Sequence, residues 1–286
     1  MERFLSISPS PLLAPYVKEY WFLSADSTSQ GKQRAIPSGY AGLIFNRGGN
    51  IYSEEYGLYP KSYLFGQSVR PVNMCFDNLN IVIVVFQPIG IKMLLNMSGS
   101  ELKGQNVGLD LLSPRFKELE IRLLDTPDEQ RVVCLIENFL LGYLNSGEDY
   151  NYKRYTSVIQ SIEMGESNIS KLADRACLGY KQFKRLFSEY VGLNPKEFIQ
   201  INRFSKTLHS LQTNSSANLN EIACKCGYYD KSHLIREVKF LSGYTPNEFL
   251  SNADPYSDNR SLFQSFFVDI RTVSYTHLTL PTILRV

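Results

Sequence analysis

Two stretches of the chain put the same residue types at the same spacing. GYKQFKRLFSEYVGLNPKEFI runs from Gly179 to Ile199, and GYYDKSHLIREVKFLSGYTPNEFL runs from Gly227 to Leu250. Sliding the second back by 51 positions sets Arg236 on Arg185, Gly243 on Gly192, Pro246 on Pro195, Glu248 on Glu197 and Phe249 on Phe198. Upstream the offset is 50, with Leu219 on Ile169, Ile222 on Leu172, Ala223 on Ala173 and Cys226 on Ala176. Such self-similarity marks one supersecondary unit used twice. The chemistry lies in what each copy leaves exposed. The first offers Lys181, Gln182, Lys184 and Arg185; the second offers Lys231, Ser232, His233 and Arg236. These are mostly hydrogen-bond donors, several of them cationic. They suit the edges of guanine and adenine, and the phosphates, that line a DNA major groove.

The spacing says how such residues are held. Ile169, Leu172, Ala173 and Ala176 fall at i, i+3, i+4 and i+7, one face of a short helix. A turn follows, then a second helix with apolar Phe183, Leu186, Phe187 and Tyr190. Gly192 and Gly243 suit left-handed helix ends, Pro195 and Pro246 suit the next helix starts, and Asp230 is placed to cap the second reading helix. This is helix-turn-helix spacing. A linker helix over 196–212 would span about 25 Å at 1.5 Å per residue. With its flanks it could hold two reading helices about one DNA turn apart, roughly 34 Å. The expected device is a bipartite reader of two successive grooves. A purely structural helical repeat is the alternative, and the basic exposed face of both copies argues against it.

On these residues, the stretch from about 155 to 250 resembles the DNA-binding domain of AraC-type (AraC/XylS) transcription regulators, whose signature the second copy carries. The resemblance implies base-reading positions at Lys181, Lys184, Arg185, Lys231, Ser232 and Arg236. Two departures stand out: Val238 where the family usually has Phe, and Gly179 where it often has Ser. The first would loosen the second unit's core slightly, and the second removes a capping hydroxyl. More loosely, SPSPLLAPYVKEYWFLS, AIPSGYAGLIFNRGG and VFQPIGIKMLLNMSGSELKGQNVGL are similar to the sensor domains of one AraC subgroup. That implies a small β-barrel or cupin-like domain followed by helices, used for effector binding, dimerisation or both.

The remaining sequence fits an α+β chain. Candidate strands are 20–24, 41–46, 62–66, 72–76 and 80–86, rich in β-branched and aromatic residues and separated by Gly, Pro, Asn and Ser. They read as a small barrel or sandwich. Residues 111–124 and 129–144 carry helical apolar spacing, 145–151 read as a linker, and the rest reads as helices. The expected domains are 1–148, an effector-binding or dimerisation domain, and 149–252, an all-α DNA-binding domain of two units joined by a linker helix. A short tail, 253–271, follows. Within 272–286, VSYTHLTLPT looks like a translated sequencing-adapter end, so that segment is left out of the fold argument.

Composition narrows the function. The chain has 286 residues, 43% hydrophobic and 20% charged, which fits globular folding. Its longest apolar run, IVIVVF, is of strand length and far short of a membrane span. The opening MERFLSISPS lacks the pattern of a secretory leader, and five scattered cysteines fit a reducing, cytoplasmic setting. Residues 1–150 hold 13 Lys and Arg against 16 Asp and Glu, whereas 151–250 hold 14 against 9. The basic second half points to a polyanionic partner. The three histidines are His209, His233 and His277, so the first half has none for a metal or a catalytic triad. No catalytic residue, metal or cofactor is expected. Cys224 and Cys226 form a C-x-C pair on a packing helix, better read as structural than as a metal or thiol site.

The expected partner is double-stranded DNA, with a small-molecule effector, a homodimer and RNA polymerase as further partners. Tyr40, Phe45, Tyr63, Phe65 and Phe86 are core or pocket-lining, without an effector-binding residue assigned. Residues 129–144 are more apolar than one buried face needs, which fits either a dimer interface or packing on the barrel. Two rivals to an effector-responsive regulator remain: a DNA-binding protein whose first half only oligomerises, and a barrel enzyme tethered to DNA.

Overall fold

The computed structural model describes residues 2–25, 31–144, 150–213 and 218–251. The expected tail with His277, and most of the expected linker, lie outside these residues. Nine strands come first: β1 (Glu2–Ile7), β2 (Val17–Ala25), β3 (Gly31–Ala35), β4 (Gly42–Asn46), β5 (Ile51–Ser53), β6 (Gly57–Leu58), β7 (Ser62–Phe65), β8 (Val72–Phe76) and β9 (Leu79–Phe86). Helices α1 (Gly90–Leu95) and α2 (Gly99–Leu102), strand β10 (Asn106–Gly108), and helices α3 (Leu109–Leu112), α4 (Pro114–Leu124) and α5 (Glu129–Leu141) complete the first half. The second half is α6 (Tyr150–Glu163), α7 (Ile169–Arg175), α8 (Tyr180–Val191), α9 (Pro195–Thr213), α10 (Leu219–Lys225), α11 (Lys231–Ser242) and α12 (Pro246–Ser251).

The strands make two antiparallel sheets, ordered β1-β2-β9-β4-β7-β10 and β3-β8-β5-β6. No ladder closes them into a barrel among the described residues, so the first half is layered rather than closed. The reason is visible in β9. Its even-numbered residues Val82, Val84 and Phe86 face the helices, while Ile81, Ile83 and Val85 face the second sheet. In β2, Tyr20 and Phe22 take the helix side and Trp21 and Leu23 the other. A central sheet covered on both faces needs apolar residues at consecutive positions, and that is what IVIVVF supplies.

Helices α4 and α5 close the helical side. Phe116, Leu119 and Leu123 of α4 meet Val132, Val133, Ile136 and Leu140 of α5 over the sheet. Leu135, Phe139, Tyr143 and Leu144 pack half-buried around the same core, with the Phe116 and Phe139 rings 4.8 Å apart. The breadth of the apolar face over 129–144 is thus occupied by packing on the sheet and on α4. The second half has one core of its own, built around Tyr155, Phe183, Phe187, Phe204, Leu234 and Val238, and Ile89 of the first half is buried in it. Phe187 is fully buried and stacks edge-on against Phe198 at 5.8 Å. Phe187→Ala is expected to cost about 3–5 kcal/mol in chemical denaturation, the range for emptying a buried aromatic site.

Candidate nucleic-acid interface

The two units are built alike down to single hydrogen bonds. In the first, the Leu178 N–H donates to the Ala173 carbonyl at 3.1 Å; in the second, Tyr228 N–H donates to Ala223 at 2.9 Å. The turn between paired helices uses a left-handed residue at the same place in each, Cys177 at φ 53° and Gly227 at φ 78°. Glycine adopts that conformation without strain, and cysteine does not. Reading helices α8 and α11 both end on left-handed glycines, Gly192 and Gly243, whose N–H groups donate to Ser188 and Lys239 carbonyls at 2.9 Å.

The Glu and Pro identities of the repeat also have a cause. Asn194 with Glu197, and Thr245 with Glu248, exchange reciprocal hydrogen bonds that cap the next helix, which Pro195 or Pro246 begins. At the entry of α11 the Asp230 side chain accepts from the His233 N–H at 2.6 Å. Gly179 at the entry of α8 offers no such bond. Val238, at the departure from the family pattern, is fully buried.

Lys181, Gln182, Lys184 and Arg185 on α8 are exposed, as are Lys231, Ser232 and Arg236 on α11. Lys184 Nζ lies 5.5 Å above the exposed Tyr180 ring at the start of α8. Arg185 lines an open cleft with Glu189 and with Glu101 of α2. His233 is turned inward: its Nδ1 accepts from the Tyr229 N–H at 3.4 Å, its Nε2 is 3.6 Å from Glu237, and its ring stands edge-on to Tyr228 at 5.3 Å.

A polar cluster absent from the sequence reading secures α11. Glu237 is buried on the reading helix and takes two bonds from Arg203 of α9, at 2.8 and 2.5 Å. Arg203 also lies 4.7 Å over the Tyr228 ring, and the Tyr228 hydroxyl is 3.1 Å from Thr207 Oγ1. Burial raises the Tyr228 phenol well above its ordinary pKa, so it stays protonated. The available signal was a carboxylate among the apolar positions of α11, four residues after His233.

Two cavities open in the first half and at its junction with the second. One, of about 590 Å³, lies between the halves, with Lys18, Trp21, Pro37 and Tyr40 on one side and Glu163, Ile201, Lys206 and His209 on the other. Lys18 Nζ sits 4.2 Å over the Tyr40 ring. A smaller one, of about 140 Å³, lies between the sheets against Tyr59, Tyr63, Phe65 and Met74. Of the aromatics singled out from sequence, Tyr40, Tyr63 and Phe65 line a cavity, while Phe45 and Phe86 are buried under the helices. Cys226 is half-buried at the Ala176 position, and Cys224 is exposed. Among the described residues, no group of three or more His, Cys, Asp or Glu could hold a metal ion, and no helix is long and apolar enough to cross a membrane.

Two like units with basic exposed faces define a double helix-turn-helix protein. Residues 172–252 match the family model described as a helix-turn-helix domain, and residues 5–108 match a domain family of unknown function (DUF6597). Residues 172–252 thus carry a helix-turn-helix domain of the AraC type. It is 25% identical over 124 residues to the uncharacterized HTH-type transcriptional regulator YidL of Escherichia coli K12, covering 42% of this chain and 41% of that protein. The match thus spans about two fifths of that relative's length. Among solved structures, ToxT from Vibrio cholerae is 13% identical with a TM-score of 0.44, covering 91% of this chain and 99% of the other. The DNA-binding domain of AdpA, solved in complex with a target DNA, is 18% identical with a TM-score of 0.32, covering 42% and 96%.

Arg203→Ala strands the Glu237 carboxylate in the core. It is expected to cost about 3–5 kcal/mol in denaturant titration. The paired replacement Arg203→Met with Glu237→Leu is expected to recover most of that loss.

Proposed function

We propose that this chain is a sequence-specific DNA-binding transcription regulator that sets α8 and α11 into two successive major grooves. One observation carries the reading: two like helices, backed by fully buried cores, expose Lys181, Lys184 and Arg185 on one and Lys231, Ser232 and Arg236 on the other, with Arg185 and Arg236 at matched positions. Lysine and arginine contacts to phosphate supply most of the affinity, and the arginines, with their flat two-pronged donors, are the foremost base readers. Gln182 is exposed beside them, while His233 serves chiefly to hold the entry of α11. The role is that of a regulator rather than an enzyme, and it implies work in the cytoplasm.

The test is binding of the full chain to duplex DNA enriched from a random library, across a salt series, against random DNA. A steep salt slope is expected. Arg185→Ala and Arg236→Ala should each cost about 1–3 kcal/mol on the enriched site and relax the base preference locally. Equal loss on random DNA would move these two side chains from bases to phosphates.

The cavity between the halves favours an effector-responsive regulator. Its volume is that of a small-molecule site, and its walls come from the sheet and from α9, the helix between the reading units. A thermal-shift screen of the full chain is expected to find stabilising small molecules. If Trp21→Phe and Lys206→Ala leave every such shift unchanged, the cavity is not the site. The reading includes a homodimer and contact with RNA polymerase. Leu111, Ile121 and Leu124, exposed on α3 and α4, are the apolar surface a second copy would cover. A clean monomer in sedimentation at micromolar concentration overturns the dimer.

A further inference from the structure

The first half grips the far ends of both reading helices, and the two grips differ in kind. At the end of α8, Gly99 lies so close to Gly192 that a Cβ on Gly99 would stand 2.6 Å from the Gly192 nitrogen. Beside it Gln67 Nε2 donates to the Val191 carbonyl at 2.5 Å, fully buried. Lys92 pairs with Glu189 at 3.1 Å, and Lys103 with Glu197 at 2.7 Å. At the end of α11 the grip is thin. Arg34 lies 4.5 Å over the Tyr244 ring and donates to the Ser242 carbonyl at 3.4 Å; Arg70 lies 4.9 Å over the Phe240 ring.

These contacts close a ring. The first half holds the first unit through Lys92 and Glu189, the first unit holds the start of α9 through Phe187 and Phe198, the middle of α9 holds the second unit through Arg203 and Glu237, and the second unit returns to the first half through Arg34 and Arg70. Without that last contact, a single helix is the main support of the second unit. Long helices bend, and bending of α9 would shift α11 relative to α8. With the contact made, that motion must also break a second attachment.

We propose that Arg34 and Arg70 are specificity-determining positioning residues: from outside the DNA-binding half, they fix the spacing at which α11 meets DNA relative to α8. They touch no base, and their effect is on which separation of the two half-sites is accepted. The inference rests on the DNA-reading function proposed above.

The experiment uses the full chain and the duplex it enriches from a random library. One base pair is then added or removed between the two half-sites, which moves one against the other by about 3.4 Å and turns it by roughly 35°. The wild type is expected to bind the altered duplexes at least ~10-fold more weakly, whereas Arg34→Gln with Arg70→Gln binds the parent duplex within ~3-fold of wild type and loses less than ~3-fold on the altered ones. Phe240→Leu with Tyr244→Leu removes the same contact from the other side and is expected to give the same relaxation, with wild-type melting as the control for folding. Variants as strict as the wild type overturn the proposal, because α9 then fixes the spacing alone. A wild type indifferent to spacing overturns it as well. Failure to enrich any duplex overturns the DNA-reading function itself, and this inference with it.

Discussion

The presentation of the first reading helix, and through it of α9, depends on one place where backbone meets backbone, Gly99 against Gly192. Any side chain on Gly99 would push α2 away from the end of α8. Gln67 would then lose the Val191 carbonyl, and Lys103 would lose Glu197 at the cap of α9. A buried carbonyl without a donor costs about 1–3 kcal/mol, so loosening one contact undoes several. Ile89 locks the same junction by lying in the core of the second half. The first half is thus part of the support on which the first unit stands.

The polarity of that support is physically consistent. The last carbonyls of a helix lack partners within it and carry partial negative charge. The first half brings donors to them: the Gln67 amide at the end of α8 and the Arg34 guanidinium at the end of α11. The opposite ends, rich in N–H groups and in lysine, remain open to solvent. They are the ends that attract phosphate. An acidic first half placed at the carbonyl ends repels DNA least where DNA must approach.

The repeat, the linker helix, both glycine ends and the Asp230 cap were legible because they rest on local chemistry: periodicity, left-handed backbone and hydrogen bonds within a few residues. Five strands were legible for the same reason. Strands β1, β3, β5, β6 and β10 were not: three of them are only two or three residues long, and GKQRA of β3 carries weak preference. Of the expected barrel or sandwich, the two layered sheets are the open form, a distinction that depends on which strands pair and not on the strands themselves. For residues 129–144, alternatives that sequence left open were narrowed by the packing of Phe139 and Tyr143 on Phe116. The Arg203–Glu237 pair and the grips of Arg34 and Arg70 join residues far apart in sequence, and no local pattern announces them.

Trp21 is the only tryptophan in the chain. It lies in the middle of β2, its Nε1 donates to Glu19 at 2.7 Å, and it lines both the cavity between the sheets and the one between the halves. Indole emission shifts in colour and intensity with the polarity and quenchers around the ring. Selective excitation of this one chromophore therefore reports on the space shared by the two halves without any attached label. Changes in that space during DNA binding or effector binding would be written in the protein's own fluorescence.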